Sequence, residues 1–333
     1  MEIYQILSTR NLPNYNYWDI VTEWEDEISY RLNIPIINKS SKFKRIFEVI
    51  PFSYKFITNT NTLIFQLSTG IIDNKYSILQ RIFRLRGKNI KEVIPCIIDF
   101  WLTKDKVQTF NKLYTNNRIV LISSLEALNF LKENGCTLTN LYHWPLSLPD
   151  KFKIEKEYAL NKKYDLVLIG RRQNELLLSF MKQYEKENPD FTYAFRKIEN
   201  GHINYYTNKN EFVGCTDTRD GYFDVIRKAR GALYATPEFS GRTDTNGFNQ
   251  VTPRFLEILS GGCHVIARYP TNDDTQFYEL EKFSKNISTY DEFKQKMDII
   301  RTKPVDFEFY SSYLEKHYTS ARVESLKKIL EKY

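Results

Sequence analysis

Residues 252–267 have the sequence Thr-Pro-Arg-Phe-Leu-Glu-Ile-Leu-Ser-Gly-Gly-Cys-His-Val-Ile-Ala, which predicts a short helix followed by a buried strand. Thr252 suits the N-cap position, and Pro253 suits the first helical position, where a missing N–H costs nothing. Two successive glycines predict the end of the helix, and the apolar residues 265–267 predict the strand. The stretch therefore has the pattern of an αβ unit.

This predicted helix carries two charged residues, Arg254 and Glu257, beside its apolar stripe. They are three positions apart, so they share one face of the helix. Arg254 lies in the first turn, where free N–H groups and the helix dipole favour an anion. One interpretation is a site for a diphosphate and a ribose diol. The other is a surface ion pair between the two residues, which is common and contributes little.

Length and composition favour a globular protein of two domains. A chain of 333 residues is long for a single core, and its hydrophobic and charged contents, 42% and 27%, are ordinary for a globular protein. No apolar run approaches the roughly 20 residues of a membrane span, and the N-terminus does not have the pattern of a signal peptide. The four cysteines are scattered without a CxxC pair, so we expect reduced thiols and a cytoplasmic location.

The net charge of +7 is moderate, but basic residues are concentrated in residues 79–91. Apolar side chains are interleaved with this cluster, whose main members are Arg81, Arg84, Arg86 and Lys88. Such a segment suits contact with an anionic acceptor or a peripheral contact with the inner face of the membrane. The alternative is a solvated helix face. Nucleic-acid binding is not expected, because no recognised motif accompanies the charge.

Residues 1–150 are predicted to form an N-terminal α/β domain with a parallel sheet. Helical periodicity is visible over residues 18–32. The remaining predicted elements of this half are strands at 62–67, 93–100 and 118–122 and a helix at 125–134.

The stretch 144–150 contains two prolines and precedes a charged run, which is typical of a connection between domains. We therefore expect a second domain over residues 151–317 and a closing helix over residues 318–333. The predicted elements that follow the connection are strands at 164–170, 192–195 and 232–235, helices at 176–184 and 222–230, and a largely helical tail from residue 289.

Two loops of the second half are candidates for binding a phosphate. Gly170-Arg171-Arg172 follows a predicted strand, where glycine admits a close approach and arginine supplies charged donors. A polar loop that contains Asn246, Gly247, Phe248 and Asn249 leads into the helix at Thr252. The alternatives are an ordinary connection and a long surface loop. Thr236, at the end of the predicted strand 232–235, is a further candidate.

Asp99 follows an apolar strand of the first half and is a candidate general base, with a turn or capping residue as the alternative. The four histidines have no metal-ligand spacing with one another or with cysteine. Metal-dependent chemistry is therefore not favoured, and we expect neither a metal site nor a cofactor.

Residues 254–266 resemble the R-x-F-E-A-L-A-x-G-x-x-V-I segment of GT-B glycosyltransferases, with the group-1 branch that includes CgeB-like enzymes as the closest match. Three further segments support the resemblance: 164–170 is similar to the first strand of the C-terminal domain, 224–230 to a helix of that domain and 317–323 to its closing H-T-x-x-x-R helix. The resemblance covers about residues 160–333.

The resemblance implies two Rossmann-like domains that face a central cleft, with a nucleotide-sugar held mainly by the C-terminal domain. Glu257 matches the glutamate that contacts the ribose hydroxyls, while Arg254 and Gly170–Arg172 match the diphosphate-binding positions. Retaining relatives carry another glutamate where this chain has Asn249, so the stereochemical outcome stays open. An inverting reaction would need a base, for which Asp99 is the candidate.

The resulting hypothesis is a metal-independent glycosyltransferase that moves a sugar from a nucleotide-sugar to a glycan or lipid-linked acceptor in bacterial surface polysaccharide assembly. The alternatives are a GT-B-fold sugar-nucleotide epimerase and a non-catalytic protein that binds nucleotide or glycan as an assembly partner. We expect replacement of Glu257 by alanine to weaken nucleotide binding with little loss of fold. The candidate donor-binding residues are Gly170, Arg171, Arg172, Thr236, Asn246, Gly247, Phe248, Asn249, Thr252, Arg254 and Glu257.

Overall fold

The computed structural model describes residues 1–8, 19–38, 61–67 and 92–333. The chain divides into two compact units. Unit 1 comprises Met1–Asp150, Asp244–Gln250 and Thr319–Tyr333, and unit 2 comprises Lys151–Thr243 and Val251–Tyr318. The segment 244–250 and the closing helix therefore belong to the same unit as the N-terminal half of the chain.

The described part of unit 1 is built on a parallel sheet with the strand order β2-β1-β3-β4-β5-β6. Its strands are β1 (Gln5–Ser8), β2 (Ile36–Asn38), β3 (Thr62–Leu67), β4 (Val93–Ile98), β5 (Val120–Ile122) and β6 (Leu141–His143). Its helices are α1 (Asp19–Leu32), α2 (Val107–Tyr114), α3 (Leu125–Glu133) and, from the end of the sequence, α11 (Thr319–Leu330).

Strand β4 shows how this sheet is covered on both faces. Ile94, Cys96 and Ile98 pack in one hydrophobic cluster, together with Val323 and other residues of α11, while Ile97 packs in a second cluster. Alternate residues of a strand point to opposite faces of the sheet, so this division needs apolar side chains on both sides. A continuous apolar run is the pattern of such a doubly buried parallel strand.

Unit 2 contains a mixed sheet with the order β10-β9-β8-β7-β11-β12. The strands β8, β7, β11 and β12 are parallel, and β9 and β10 extend the sheet as antiparallel strands. Their bounds are β7 (Tyr164–Val167), β8 (Tyr193–Glu199), β9 (His202–Thr207), β10 (Phe212–Cys215), β11 (Ala229–Ala235) and β12 (His264–Arg268).

The helices of unit 2 connect these strands or follow them. They are α4 (Lys156–Leu160), α5 (Glu175–Glu187), α6 (Arg219–Arg227), α7 (Pro253–Ser260), α8 (Asp273–Phe277), α9 (Tyr290–Thr302) and α10 (Phe307–Leu314). Leu166, Leu233 and Ile266 on adjacent strands pack with α5 and α9 side chains in one core. None of the helices in the described ranges combines the length and apolar character needed to cross a bilayer.

The α/β class and the two Rossmann-like domains predicted from the sequence are confirmed. The antiparallel strands β9 and β10 were not predicted, and helix α6 begins at Arg219 rather than at the predicted residue 222. The earlier start of α6 places Arg219 on the helix.

Candidate functional site

The N-terminus of α7 lies where the sequence predicted it, but without the expected side-chain cap. Thr252 occupies the N-cap position in extended conformation and Pro253 begins the helix, yet the Thr252 side chain makes no capping hydrogen bond. The Thr252 N–H instead donates to the phenolic oxygen of Tyr234, at 3.1 Å. The capping function of Thr252 predicted from the sequence is therefore not observed, and its hydroxyl does not cover the positive end of the helix dipole.

Arg254 extends from this helix start to the loop after β7. A Cβ atom built on Gly170 would lie 2.4 Å from Cζ of Arg254, so the guanidinium packs against the bare α-carbon of the glycine. Gly170 has φ of +94°, a conformation that glycine adopts without strain. Arg254 is half-buried, and no hydrogen bond or ion pair joins it to another side chain among the described residues. A half-buried cation without an acidic partner favours an anionic ligand.

Three tyrosines lie within electrostatic reach of Arg254: Tyr205 and Tyr234 are buried and Tyr222 is half-buried. Burial raises the pKa of Tyr205, Tyr222 and Tyr234, and the nearby Arg254 cation partly opposes the rise in each case. The phenols therefore stay protonated and do not supply a negative charge to Arg254.

Glu257 pairs with Arg219 and not with Arg254, so the alternative interpretation, a surface i,i+3 ion pair between Arg254 and Glu257, is wrong. Its carboxylate instead accepts hydrogen bonds from Nη2 of Arg219, at 2.7 Å, and from the phenol of Tyr222, at 2.8 Å. Glu257 is buried with 5% exposure, so this is not the weak surface pair of the alternative interpretation. Each carboxylate oxygen has a second lone pair, which leaves acceptor capacity for a ligand hydroxyl.

An aromatic cluster holds Arg219 in position. Phe152 and Phe223 stack with ring centroids 3.8 Å apart, and the Arg219 guanidinium lies 5.4 Å and 5.2 Å from their centroids. Burial raises the pKa of Tyr222 well above its usual value, so this phenol remains a donor to Glu257. Sequence reasoning missed both partners of Glu257; the signal was Thr218, a good N-cap residue that moves the helix start to Arg219.

The arginine loop is tied to a neighbouring loop of unit 2. Arg172 donates from Nη1 to the carbonyl of Gly241, at 3.0 Å, and Asn174 donates to the carbonyl of Phe239, at 2.5 Å. Arg171 and Arg172 are exposed. The loop therefore carries two exposed cations, and the side chains of Arg172 and Asn174 tie it to the carbonyls of residues 239 and 241.

The carboxyl ends of three adjacent parallel strands meet at this edge of the unit 2 sheet. Gly170 follows β7, the fully buried Thr236 follows β11, and Arg268 ends β12. The Arg268 guanidinium lies 5.4 Å from the ring centroid of Phe239, and its Nε is buried without a hydrogen-bond partner among the described residues. In open α/β sheets, ligands bind outside these strand ends. This edge of the unit 2 sheet is thus rich in arginine, whose charge would suit a phosphorylated ligand.

The loop with Asn246 and Gly247 belongs to unit 1 and makes hydrogen bonds to other residues of that unit. The Asn246 amide donates to the carbonyl of Trp101, at 2.5 Å, and the backbone N–H of Asn249 donates to Glu126, at 2.9 Å. Both Asn246 and Gly247 have positive φ, +51° and +86°. The structure thus holds this candidate phosphate loop by contacts to unit 1 residues.

Phe248 occupies an aromatic core of unit 1. Its ring packs edge-on against Phe100 and Phe130, with centroids 5.4 Å and 5.0 Å away, and the residue is 6% exposed. The side chain of Phe248 therefore packs in the core of unit 1. The sequence analysis assigned this residue only to a donor-binding loop.

Asp99 lies directly after β4 with φ of +50° and is half-buried. Gln250 donates from Nε2 to Oδ1 of Asp99, at 3.0 Å. Gln250 is 2% exposed, and its Oε1 has no hydrogen-bond partner within the described ranges. The buried amide therefore orients the carboxylate that the sequence suggested as a base. The basic segment 79–91, with Arg81, Arg84, Arg86 and Lys88, lies outside the described residues, and its acceptor or membrane contact stays a prediction.

Comparison with known proteins finds likeness in structure but none in sequence. A scan of the sequence against models of protein families finds no match, and a search of the curated proteins finds none either.

Several solved structures share the fold over nearly their whole length. HepE from Anabaena, solved in complex with UDP and glucose, superposes with a TM-score of 0.56 at 8% identity, covering 100% of both chains. Sucrose-phosphate synthase from Thermosynechococcus elongatus gives 0.54 at 11% identity over 99% of this chain and 96% of its own. The lipopolysaccharide outer core galactosyltransferase WaaB gives 0.52 at 10% identity over 100% and 99%. These likenesses confirm the GT-B resemblance at the level of the fold, and the CgeB-like branch stays a prediction.

Proposed function

We propose that this chain is a glycosyltransferase that takes a sugar from a nucleoside-diphosphate sugar bound to unit 2. The single observation that carries the proposal is Arg254. It is a half-buried cation at the start of α7 that packs on Gly170 and has no acidic partner among the described residues. A diphosphate would supply the negative charge that this position lacks.

The other arginines at this edge extend the same argument. Arg171 and Arg172 follow β7, and Arg268 ends the strand β12. Planar guanidinium groups bind phosphate oxygens in pairs, and the helix N-terminus adds its own partial positive charge. We assign the stabilisation of the leaving diphosphate to these groups, and the proposed transfer therefore needs no metal ion.

Glu257 suits the nucleoside part of the donor. Its buried carboxylate is fixed by Arg219 and Tyr222, and its remaining lone pairs would accept hydrogen bonds from a ribose diol. Because both oxygens are already anchored, the carboxylate would meet the ligand without further loss of side-chain freedom.

We assign activation of the acceptor to unit 1, with Asp99 as general base. Asn249 replaces the second glutamate of retaining relatives, which favours an inverting transfer. Asp99 would accept the proton of the acceptor hydroxyl. The hydroxyl oxygen of the acceptor would then bond to the anomeric carbon of the donor sugar, while the bond between that carbon and the diphosphate breaks. The acceptor class we propose, a glycan or lipid-linked sugar of a bacterial surface polysaccharide, draws support from the lipopolysaccharide galactosyltransferase that shares the fold.

Nucleotide binding and donor turnover test this function separately. Calorimetry with UDP, GDP, dTDP and CMP should find one nucleotide that binds, and Arg254→Gln should weaken that binding at least about tenfold. Arg118→Gln, an exposed arginine of unit 1, is the matched control and should bind as the wild type does. Failure of every nucleotide to bind would refute the proposal.

Turnover of the corresponding nucleotide-sugar then distinguishes a transferase from its alternatives. A transferase releases the nucleotide faster when an acceptor is present. An epimerase would change the sugar without an acceptor, and a non-catalytic binding protein would leave the donor intact. Either of these last two outcomes would overturn the transferase assignment while leaving the donor site in place.

A further inference from the structure

Three side chains with different metal-binding atoms meet at the antiparallel edge of unit 2. His202 is the first residue of β9, Cys215 is the last residue of β10, and Asp217 follows two positions later. The antiparallel register pairs Asn204 with Cys215, which brings the start of one strand to the end of the other. One ligand atom from each of the three lies within 4.8 Å of the other two.

Hydrogen bonds already organise this cluster. Oδ1 of Asp217 accepts the backbone N–H of Ile203, at 2.8 Å, and its other oxygen lies 2.5 Å from Nδ1 of His202. The carboxylate is thus oriented by backbone, and the imidazole nitrogen is directed toward it. No spacing in the sequence predicts this cluster, because the β9–β10 pairing, which was not predicted, brings the three residues together.

The chemical type of the three ligand atoms determines which metal ion they would bind. An imidazole nitrogen, a thiolate sulfur and a carboxylate oxygen are the ligands of Zn²⁺, whereas Mg²⁺ and Ca²⁺ take oxygen ligands. The His202 and Asp217 side chains are 64% and 35% exposed, so water can reach the fourth position of a tetrahedral ion. Binding would release the thiol proton of Cys215 to solvent.

We propose that His202, Cys215 and Asp217 form a zinc-binding site that fastens the β9–β10 hairpin to the start of helix α6. Asp217 immediately precedes Thr218, the N-cap of that helix, whose hydroxyl accepts the N–H of Gly221 at 3.1 Å. A Cβ atom on Gly221 would lie 2.2 Å from the Cys215 carbonyl oxygen, so the first turn of the helix packs directly on the end of β10.

A metal ion at this cluster would also affect the position of the residues that bind Glu257. The first turn of α6 carries Arg219 and Tyr222, the two groups that hold Glu257. An ion bound at the cluster would fix the segment from which both side chains project. The proposal itself depends only on the metal-binding residues and stands whether or not the chain binds a nucleotide.

The test uses the full chain, reduced and freed of metal with a chelator, and titrated with Co²⁺ and Zn²⁺. We expect one equivalent of Co²⁺ to produce a thiolate-to-cobalt charge-transfer absorption, and Zn²⁺ to displace it. Cys215→Ser should abolish the absorption and weaken Zn²⁺ binding at least about tenfold, because it removes the thiolate. Cys136→Ser, a half-buried cysteine of unit 1, is the matched control and should keep both.

A second variant covers the case in which Cys215→Ser does not fold. The His202 side chain is largely exposed, so His202→Asn should keep the circular dichroism of the wild type and also lose affinity for Zn²⁺. An absence of the charge-transfer absorption in the wild type would overturn the proposal. So would an absorption that survives both Cys215→Ser and His202→Asn.

Discussion

The guanidinium of Arg254 rests on the α-carbon of Gly170, so close that a single added methyl group would lie 2.4 Å from its central carbon. The glycine therefore does two things at once. It adopts a φ of +94°, and it leaves room for a cation at the carboxyl edge of the sheet. Experiment can separate the strain of a positive φ from the loss of room for the guanidinium, because only the loss of room depends on Arg254.

Gly170→Ala should reduce nucleotide affinity about tenfold or more with only a small loss of stability. The added methyl group displaces the end of a long side chain, which moves at little cost, but positive φ adds roughly 1–2 kcal/mol of strain. Calorimetry of nucleotide binding and of thermal unfolding measures the two effects. Gly201→Ala is the matched control: its φ is +83°, yet a Cβ there meets nothing within 4 Å. Equal affinity losses in the two variants would contradict the role of Arg254.

Glu257→Ala should weaken nucleotide binding and should also destabilise unit 2. The second effect differs from the expectation from the sequence alone, which was little loss of fold. The change leaves Arg219 without its carboxylate in a largely buried position, and breaking such a pair costs on the order of 3 kcal/mol. Differential scanning calorimetry measures the loss. Glu324→Ala removes an exposed i,i+3 partner of Lys327 and should change stability by less than about 1 kcal/mol. Similar unfolding temperatures for the two variants would show that Glu257 is not structurally important.

Phe248→Ala should destabilise unit 1 by about 3–5 kcal/mol, because it empties a site between two aromatic rings. All four tryptophans of the chain, Trp18, Trp24, Trp101 and Trp144, lie in the N-terminal segment of unit 1. Tryptophan emission during denaturant unfolding therefore reports this unit. Phe212→Ala, at a residue 62% exposed in unit 2, is the control and should leave that transition unchanged. An unchanged transition in Phe248→Ala would mean that the ring is not a core element.

Unit 2 should lose stability in acid through His264. Burial lowers the pKa of this histidine to about 4, while its Nε2 lies 2.9 Å from the carbonyl of Lys303. The unfolded chain, with a histidine pKa near 6.5, binds the proton more readily. The free energy of unfolding of unit 2 is therefore unaffected by protonation of His264 above about pH 6.5. It decreases as the pH falls from there toward 4, by up to about 1.4 kcal/mol per pH unit.

His264→Gln should flatten that dependence, because a glutamine amide can still donate to Lys303 but does not titrate. Calorimetric unfolding of unit 2 between pH 7 and pH 5 measures the difference from the wild type. His143 in unit 1 provides an internal control, since burial lowers its pKa to about 4 as well. The tryptophan-reported transition should keep its acid sensitivity in the variant. Equal acid sensitivity of unit 2 in the variant and the wild type would contradict the assignment.

Asp99→Asn should lower kcat at least about a hundredfold while leaving nucleotide affinity unchanged, because an amide cannot accept the acceptor proton. Steady-state kinetics with a cognate acceptor, together with the anomeric configuration of the product, measures both the rate and the inverting outcome. Asp105→Asn, an exposed aspartate of unit 1, is the control and should retain full activity. A retained configuration in the product would contradict the assigned role of Asp99.

The sequence predicted best those elements whose pattern is local. Helix α7 and strand β12 follow from caps, glycines and an apolar stripe within sixteen consecutive positions, and the core strands follow from their apolar runs. The sequence does not predict contacts between side chains that lie far apart along the chain. Glu257 is bound by Arg219 from another helix, and no spacing rule predicts a contact over that separation.

Two further differences have identifiable physical causes. The β8–β9 hairpin turns at Asn200-Gly201, whose φ values are +53° and +83°. An Asn-Gly dipeptide is a strong local signal for such a turn, but it does not say which strands the turn joins. The polarity of the loop with Phe248, and its position before helix α7, favour a phosphate-binding loop. Its aromatic side chain nevertheless packs on Phe100 in the core of unit 1, and hydrogen bonds to Trp101 and Glu126 hold the same loop.

The assignment of residues 319–333 to unit 1 sets an order for its folding during synthesis. The apolar residues Val323, Leu326, Ile329 and Leu330 of α11 belong to the same core cluster as strands β1, β3 and β4. A ribosome releases those strands early and the helix more than two hundred residues later, so the first unit to begin is the last to be completed. Until then α1, through Val21, Trp24 and Ile28, supplies the other helix of this cluster, and the apolar surface that α11 covers in the finished unit stays exposed.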